Sequence, residues 1–235
     1  MDKNSNSYTL IYASVMVILV AGLLSFAAIS LKPLQTKNIE IEAKQNILAS
    51  VNIVASSDDA ERIYSEKIIN TYVVNSKGDK VEGDAFSINM KKENSKPVEE
   101  RRMAIFEFDS GEGIKYILPL YGAGLWGPLW GYISVNDDMN TIFGANFDHA
   151  GETPGLGAEI STKKFQDQFT GKKIFDTQDD LVSIMVAKSN ETAPEEHRVD
   201  GISGGTITSK GLQNMIMNNL SVYKAFLQQH KSGKK

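Results

Sequence analysis

The chain has 235 residues, of which 41% are hydrophobic and 23% are charged, a size that accommodates one membrane anchor and one globular domain. Because the formal net charge is −4, the chain offers no broad cationic surface, and we expect no nucleic acid partner. The absence of cysteine excludes disulfides, iron–sulfur ligation and thiol catalysis within this chain.

An uncharged segment near the N-terminus predicts a transmembrane helix. No charged residue lies between Lys3 and Lys32, and the apolar run at 8–31 would extend about 36 Å as a helix. We therefore expect a short tail at 1–7 and a single transmembrane helix at 8–31. A cleaved signal peptide is the alternative, but the run exceeds the roughly 7–15 apolar residues of such a peptide. The flanking lysines do not determine the orientation.

Residues 32–103 are expected to form a helical linker and the first part of the soluble domain. Pro33 suits the first position of a helix, and apolar residues then recur at helical spacing from Ile39 to Val54. The other elements expected here are a short helix within 56–70, a strand at 71–74, a turn at 75–78 and a strand at 86–88.

Residues 104–230 predict a domain of the α+β class with a mainly antiparallel sheet. Apolar residues from Leu212 to Leu227 line one face of a final helix. The run at 181–187 is short and rich in β-branched residues, which is typical of a buried strand. The remaining strands are expected at 104–108, 114–120, 129–135 and 141–147.

A loop rich in glycine and hydroxyl side chains precedes the final helix. Residues 200–209 read Asp-Gly-Ile-Ser-Gly-Gly-Thr-Ile-Thr-Ser. Glycines let several backbone N–H groups point inward, and a helix N-terminus adds partial positive charge, so the segment suits a phosphate group. The spacing fits neither the P-loop nor the dinucleotide fingerprint. Taken alone, the residues favour a simpler interpretation, in which Thr208 or Ser209 caps the helix and the glycines form a turn.

The same loop resembles a flavinylation motif. The segment from Asp200 to Thr206 is similar to D-G-x-[ST]-G-A-T, in which the final Thr is joined through its hydroxyl to the phosphate of FMN, and Gly205 stands where Ala is usual. The resemblance implies that Thr206 carries covalent FMN, with Asp200, Ser203, Gly204 and Gly205 contributing to the site. It also implies that a separate Mg²⁺-dependent FMN transferase performs the attachment, using FAD as donor and releasing AMP.

Two further segments resemble the same family, which is the C subunit of the Na⁺-translocating NADH:quinone reductase. Residues 122–132 resemble the family's G-L-W run and contain both tryptophans. An aromatic cluster is more often core than cofactor contact, so we assign neither ring to the flavin. The second segment, 151–159, contains E-T-P-G-L-G, which the resemblance places against the flavin ring through Glu152, Thr153, Gly155, Leu156 and Gly157.

Among the remaining polar residues, only Lys188 is a candidate for the cofactor site. It follows the run at 181–187 and could place a positive charge near the flavin ring, although a surface lysine at a strand end is the simpler interpretation. His197 and His230 have no partners at metal-ligand spacing, so we expect no metal site. Thr206 is expected to be a modified residue, and no residue of this chain is expected to be catalytic.

The resemblance implies an electron-transfer subunit that one helix holds in the inner membrane, with its soluble domain in the periplasm. Electrons would arrive from an iron centre and pass to FMN on the B subunit and onward to quinone, so the expected partners are the other subunits of the complex. Two alternatives stay open. One is the G subunit of an Rnf-type electron-transport complex, which shares the anchor and the loop. The other is a membrane-tethered binding or sensor domain without redox activity.

Overall fold

The computed structural model describes residues 5–188 and 190–231. The chain divides into two compact units, one up to Ala43 and one from Lys44 onward. Helix α1 spans Asn6–Ala49 and is long and apolar enough to cross a membrane. The transmembrane segment expected at 8–31 lies within this helix, whereas residues 1–4 of the expected tail lie outside the described residues.

Pro33 lies inside α1 and does not start a second helix, so this expectation was wrong. Proline has no N–H and removes one backbone hydrogen bond, at a cost of about 3 kcal/mol in a helix interior. The helix continues because a long apolar run precedes the proline and good helix formers such as Leu34, Gln35 and Lys37 follow it. The Thr36 hydroxyl also donates to the Lys32 carbonyl oxygen at 3.1 Å, one turn earlier.

Between α1 and the main strands, the chain forms short elements. The strand expected at 86–88 is wrong, because residues 85–87 form a 3-10 turn. The Asp84 carboxylate accepts the Phe86 N–H at 3.1 Å and thereby competes with strand pairing. The elements of this region are α2 (Ala60–Lys67), β1 (Ile68–Asn75), β2 (Lys80–Val81) and α3 (Met90–Asn94).

A six-stranded antiparallel sheet forms the centre of the second unit, in the order β2-β1-β3-β4-β5-β6. The four strands expected after residue 103 are present, with their ends shifted, and the sheet joins strands from both sides of the expected 103/104 boundary. These four strands are β3 (Arg102–Asp109), β4 (Ile114–Ala123), β5 (Pro128–Val135) and β6 (Ile142–His149).

The final helix, α5, spans Thr206–His230 and covers one face of the sheet. Side chains alternate along a strand, so Ile105 of β3 joins the core under α5, whereas Phe106 packs on the opposite face with Ile47. Tyr223 is fully buried on α5, and its hydroxyl donates to the Ala104 carbonyl oxygen at 2.9 Å. The sheet thus fixes the helix whose first residue is Thr206.

The strand expected at 181–187 is only partly formed. Ser183 has φ +60°, and its N–H donates to the Ile174 carbonyl oxygen, so the chain turns before the strand begins. The strand that does form pairs in parallel with a later segment, which places Ala187 beside Asp200 at the entrance to the glycine-rich loop. The remaining elements are α4 (Lys163–Gln166), β7 (Met185–Ala187) and β8 (Arg198–Asp200).

Candidate functional site

Thr206 is the first residue of α5, and its side chain is exposed. Gly205 occupies the N-cap position and supplies no side-chain cap, so the interpretation of Thr208 or Ser209 as the cap was wrong. Both hydroxyls lie buried within the first turn and bind other segments instead. Thr208 donates to Glu152, and the Ser209 hydroxyl oxygen accepts the Ile202 N–H at 3.1 Å. Among these hydroxyls, the structure leaves that of Thr206 accessible.

The loop before α5 is shaped by its glycines and by its neighbours. Gly204 has φ +73°, a backbone conformation that favours glycine, and a Cβ at this position would lie 2.6 Å from Leu156 Cδ2, so the Leu156 side chain would also have to move. A Cβ on Gly205 would lie 2.9 Å from Ile202 Cγ2. An alanine at 205, as the resembling motif has, therefore requires the Ile202 side chain to move.

One cavity beside Thr206 has two lysines in its lining, and we call it the lysine cavity. Its volume is about 320 Å³. The Glu191 carboxylate links two residues of the cavity wall. One of its oxygens accepts from the Lys188 N–H at 2.9 Å and from Lys210 Nζ at 3.0 Å. The cavity is lined by Val186, Lys188, Asn190, Gly201, Ile202, Ser203, Gly204, Thr206, Ser209 and Lys210.

A second cavity beside Thr206, which we call the leucine cavity, has a volume of about 220 Å³. Three segments meet there: the β4–β5 turn, the 152–157 segment and the first turn of α5. The side chains of Leu125 and Ile207 are 48% and 59% exposed, so the apolar wall opens to solvent. The cavity is lined by Leu125, Glu152, Thr153, Leu156, Gly157, Gly204, Gly205, Thr206, Ile207 and Thr208.

Glu152 is a buried carboxylate in the wall of the leucine cavity, with only 4% of its surface exposed. Its Oε1 accepts the Trp126 N–H at 2.9 Å, and its Oε2 accepts the Thr208 hydroxyl at 2.6 Å. Burial acts to raise the pKa of this carboxyl, but these hydrogen bonds, together with that from Leu125 and the nearby His149, outweigh burial and lower its pKa. Glu152 is therefore ionised at neutral pH and is not a solvated surface acid.

The structure separates some residues that the sequence groups together. Lys188 lines the lysine cavity with Thr206 and is not part of the leucine cavity wall. The Asp200 carboxylate is exposed, pairs with Arg198 at 3.0 Å and lines another cavity of about 380 Å³ with Gln168. Gly155 has φ +72° and shapes the 152–157 segment without lining the leucine cavity.

The lining residues that sequence reasoning did not assign to the site include Leu125, Ile207 and Lys210. Leu125 belongs to the G-L-W run, in which the tryptophans are the more conspicuous residues. Trp126 is 69% exposed on the β4–β5 turn, so this ring is not part of the core, whereas Trp130 is half-buried on β5. Ile207 and Lys210 could have been predicted from the sequence, because the first residues of a helix that begins at Thr206 must lie beside the loop.

A family model described as the FMN-binding domain matches residues 124–221, which include the loop, both cavities and most of α5. The C subunit of the Na⁺-translocating NADH-quinone reductase of Neisseria meningitidis is 33% identical over 231 residues, covering 90% of this chain and 88% of that protein. The corresponding protein of Haemophilus ducreyi is 31% identical over 230 residues, covering 91% of this chain and 89% of that protein.

Solved structures give the same result for the fold. The crystal structure of the C subunit of the Na⁺-translocating NADH-quinone reductase of Parabacteroides distasonis matches with a TM-score of 0.79 and 48% identity, covering 84% of this chain and 96% of that one. NqrC of Shewanella oneidensis, at 23% identity and a TM-score of 0.69, supports the fold alone. The expected α+β fold with a mainly antiparallel sheet is confirmed, and the chain belongs to the family of Na⁺-translocating NADH-quinone reductase C subunits.

Proposed function

We propose that this chain carries FMN esterified to Thr206 and passes electrons towards quinone within a Na⁺-translocating NADH-quinone reductase. The observation that carries the proposal is the position of Thr206, whose exposed side chain lies at the N-terminus of α5 and lines both cavities. In this proposal α1 anchors the chain in the inner membrane, the second unit lies in the periplasm, and the other subunits of the complex are its partners.

The two cavities have the chemistry that the two ends of FMN require. First-turn N–H groups of a helix have no intrahelical acceptor and attract a phosphate. On that side Lys188 and Lys210, of which Lys210 is paired with Glu191, leave a net positive charge. Ser203 and Gly204 belong to the same wall. We therefore place Lys188 near the phosphate in this proposal, rather than near the flavin ring.

The leucine cavity suits a flat apolar ring. Leu125, Leu156 and Ile207 supply the apolar surface, and Gly157 and Gly205 allow the backbone to approach closely. Thr153 completes the part of the 152–157 segment that lines this cavity. Bound FMN would supply reversible electron uptake and release through its isoalloxazine ring, whose position and environment the protein sets.

The attachment that we propose balances as a transfer from FAD. A bond forms between Thr206 Oγ1 and the FMN phosphorus, the pyrophosphate bond of FAD breaks, AMP leaves, and the proton of the hydroxyl is released. A threonine hydroxyl needs activation to act as a nucleophile. Among the residues that the structure describes, no recorded hydrogen bond joins the Thr206 hydroxyl to a histidine or a carboxylate, which supports the action of a separate transferase.

Membership of the C-subunit family favours this complex over an Rnf-type complex, and covalent flavin would exclude a sensor domain without redox activity. To test the attachment, the full chain is produced together with an FMN transferase, denatured, and examined for flavin fluorescence on a gel and for mass on the tryptic peptide. We expect labelled wild type, partial label in Thr206→Ser, which keeps a hydroxyl, and no label in Thr206→Ala.

The matched control is Ser203→Ala, which removes a neighbouring exposed hydroxyl and should keep the label. Label that is retained in Thr206→Ala and lost in Ser203→Ala would move the attachment to Ser203. A colourless wild type without a mass increment would overturn the proposed function. Copurification with partners that reduce quinone in a Na⁺-stimulated reaction would support the proposed complex, whereas ferredoxin-linked activity would indicate the Rnf type.

A further inference from the structure

The Glu152 side chain joins three segments of the site at one point. Oε1 accepts the Trp126 N–H of the β4–β5 turn at 2.9 Å, and Oε2 accepts the Thr208 hydroxyl of α5 at 2.6 Å. The Glu152 N–H donates to His149 Nδ1 at 3.1 Å, which fixes the segment that carries the carboxylate. Each carboxylate oxygen thus accepts a hydrogen bond from a different wall of the leucine cavity.

Two glycines leave the room that this carboxylate occupies. A Cβ on Gly124 would lie 2.4 Å from Oε1 of Glu152, and a Cβ on Gly157 would lie 2.5 Å from its Oε2. Neither glycine has a positive φ, so conformational freedom does not explain either position. The requirement for space around the carboxylate does explain both, and it marks Glu152 as a built feature of the site.

The negative charge of this carboxylate is buried, and the groups that bond to it are neutral. Its partners are hydrogen-bond donors, and within the described residues no salt bridge to lysine or arginine is recorded for it. A buried charge that is satisfied by donors stays ionised, and little solvent screens its field. Because reduction adds electrons to a flavin, a fixed negative charge in the cavity wall makes that reduction less favourable.

We propose that Glu152 is a positioning residue whose carboxylate fastens the β4–β5 turn to the first turn of α5 and whose charge lowers the reduction potential of flavin held in the leucine cavity. The fastening is a property of the protein without flavin. The effect on the potential rests on the proposed function, because it requires a flavin bonded to Thr206.

The fastening is tested by amide hydrogen exchange at Trp126 in the full-length Thr206→Ala protein, which holds no covalent flavin. Removing the acceptor with Glu152→Ala should speed exchange at this amide by about tenfold or more, as expected for loss of a hydrogen bond to a charged group. If Trp126 exchanges at the same rate in Thr206→Ala with and without the additional Glu152→Ala change, the fastening is overturned, whether or not the wild type is flavinylated.

The charge is tested by redox titration of flavinylated full-length protein carrying Glu152→Gln, which keeps the shape of the side chain and serves also if Glu152→Ala fails to fold. We expect covalent flavin to be retained and its midpoint potential to rise. Glu159→Gln removes one negative charge from the same region and should cause a smaller shift. A potential equal to that of wild type, or a shift no larger than that of Glu159→Gln, would overturn this part, whereas absence of flavin from wild type would overturn the proposed function itself.

Discussion

The Thr208 hydroxyl donates a 2.6 Å hydrogen bond to Glu152 Oε2, and both residues are buried. Thr208 lies in the first turn of α5, two residues after Thr206. The bond therefore fixes the start of the helix against the 152–157 segment, with Thr206 on the outer side of the same turn. The position of Thr206, which we propose to carry the flavin, therefore depends on the buried hydrogen bond of Thr208.

We expect Thr208→Val to destabilise the protein. Valine matches threonine in shape but leaves the buried carboxylate without one of its donors, at a cost of about 1–3 kcal/mol in the free energy of unfolding. Denaturant unfolding of the second unit in the full chain measures the change. Thr208→Ser keeps the hydroxyl and should lose less. A stable Thr208→Val together with a destabilised Thr208→Ser would show that the methyl group, and not the hydrogen bond, matters at this position.

The stabilising effect of Glu152 should depend on pH in a defined direction. Its carboxyl pKa is lowered from its usual value of 4.5, so the folded state favours the ionised form more than the unfolded state does. This contribution is complete at neutral pH and is lost as the pH falls below 4.5 and through the lowered pKa of the folded state. The difference in unfolding free energy between wild type and Glu152→Gln should therefore shrink in acid. A difference that stays constant down to the acid unfolding transition would contradict the lowered pKa.

Gly157 should not tolerate a side chain. A Cβ there would lie 2.5 Å from both Glu152 Oε2 and Thr208 Oγ1, so Gly157→Ala must separate the two groups. We expect a loss of about 1–3 kcal/mol in the free energy of unfolding, as for other overpacked sites, and less covalent flavin. Gly151→Ala is the matched control, because no atom lies within 4 Å of the added Cβ. If both substitutions cause the same loss, the loss does not come from the contact with Glu152.

The sequence predicts those elements of the fold whose pattern is local. The strands of the antiparallel sheet and the face of α5 are confirmed, because alternation and helical spacing report directly on burial. The failures occur where a single side chain or a tertiary contact decides. Asp84 turns residues 85–87 into a 3-10 turn, and the positive φ of Ser183 shortens the strand expected at 181–187. Neither effect is visible in hydrophobic periodicity.

For the site, the sequence predicts the segments better than the roles of their residues. The motif loop and the 152–157 segment do meet, but which side chains face each other depends on the parallel pairing of β7 with β8 and on where α5 begins. Local spacing favours Thr208 as a cap, but Gly205 occupies that position and Thr208 binds Glu152 instead. A hydrogen bond across 56 residues cannot be predicted from local spacing.

Asp200 allows a test of whether the transferase reads the protein beyond the attachment residue. Its carboxylate is exposed and faces Arg198, in a cavity that Thr206 does not line, so it is accessible to an approaching enzyme. We expect Asp200→Ala to slow flavinylation when the transferase is limiting, because a carboxylate that helps to bind the enzyme or its Mg²⁺ is lost. Stability should change by no more than about 0.5 kcal/mol, as for other surface substitutions.

A time course of covalent fluorescence at a fixed ratio of transferase to protein measures the effect of Asp200→Ala. Asp58→Ala removes one exposed carboxylate from a turn outside the FMN-binding match and controls for net charge. If the two variants acquire flavin at the same rate, Asp200 has no part in docking the transferase. If Asp200→Ala alone is slow, and excess transferase restores full labelling, the defect lies in recognition and not in the fold of the loop.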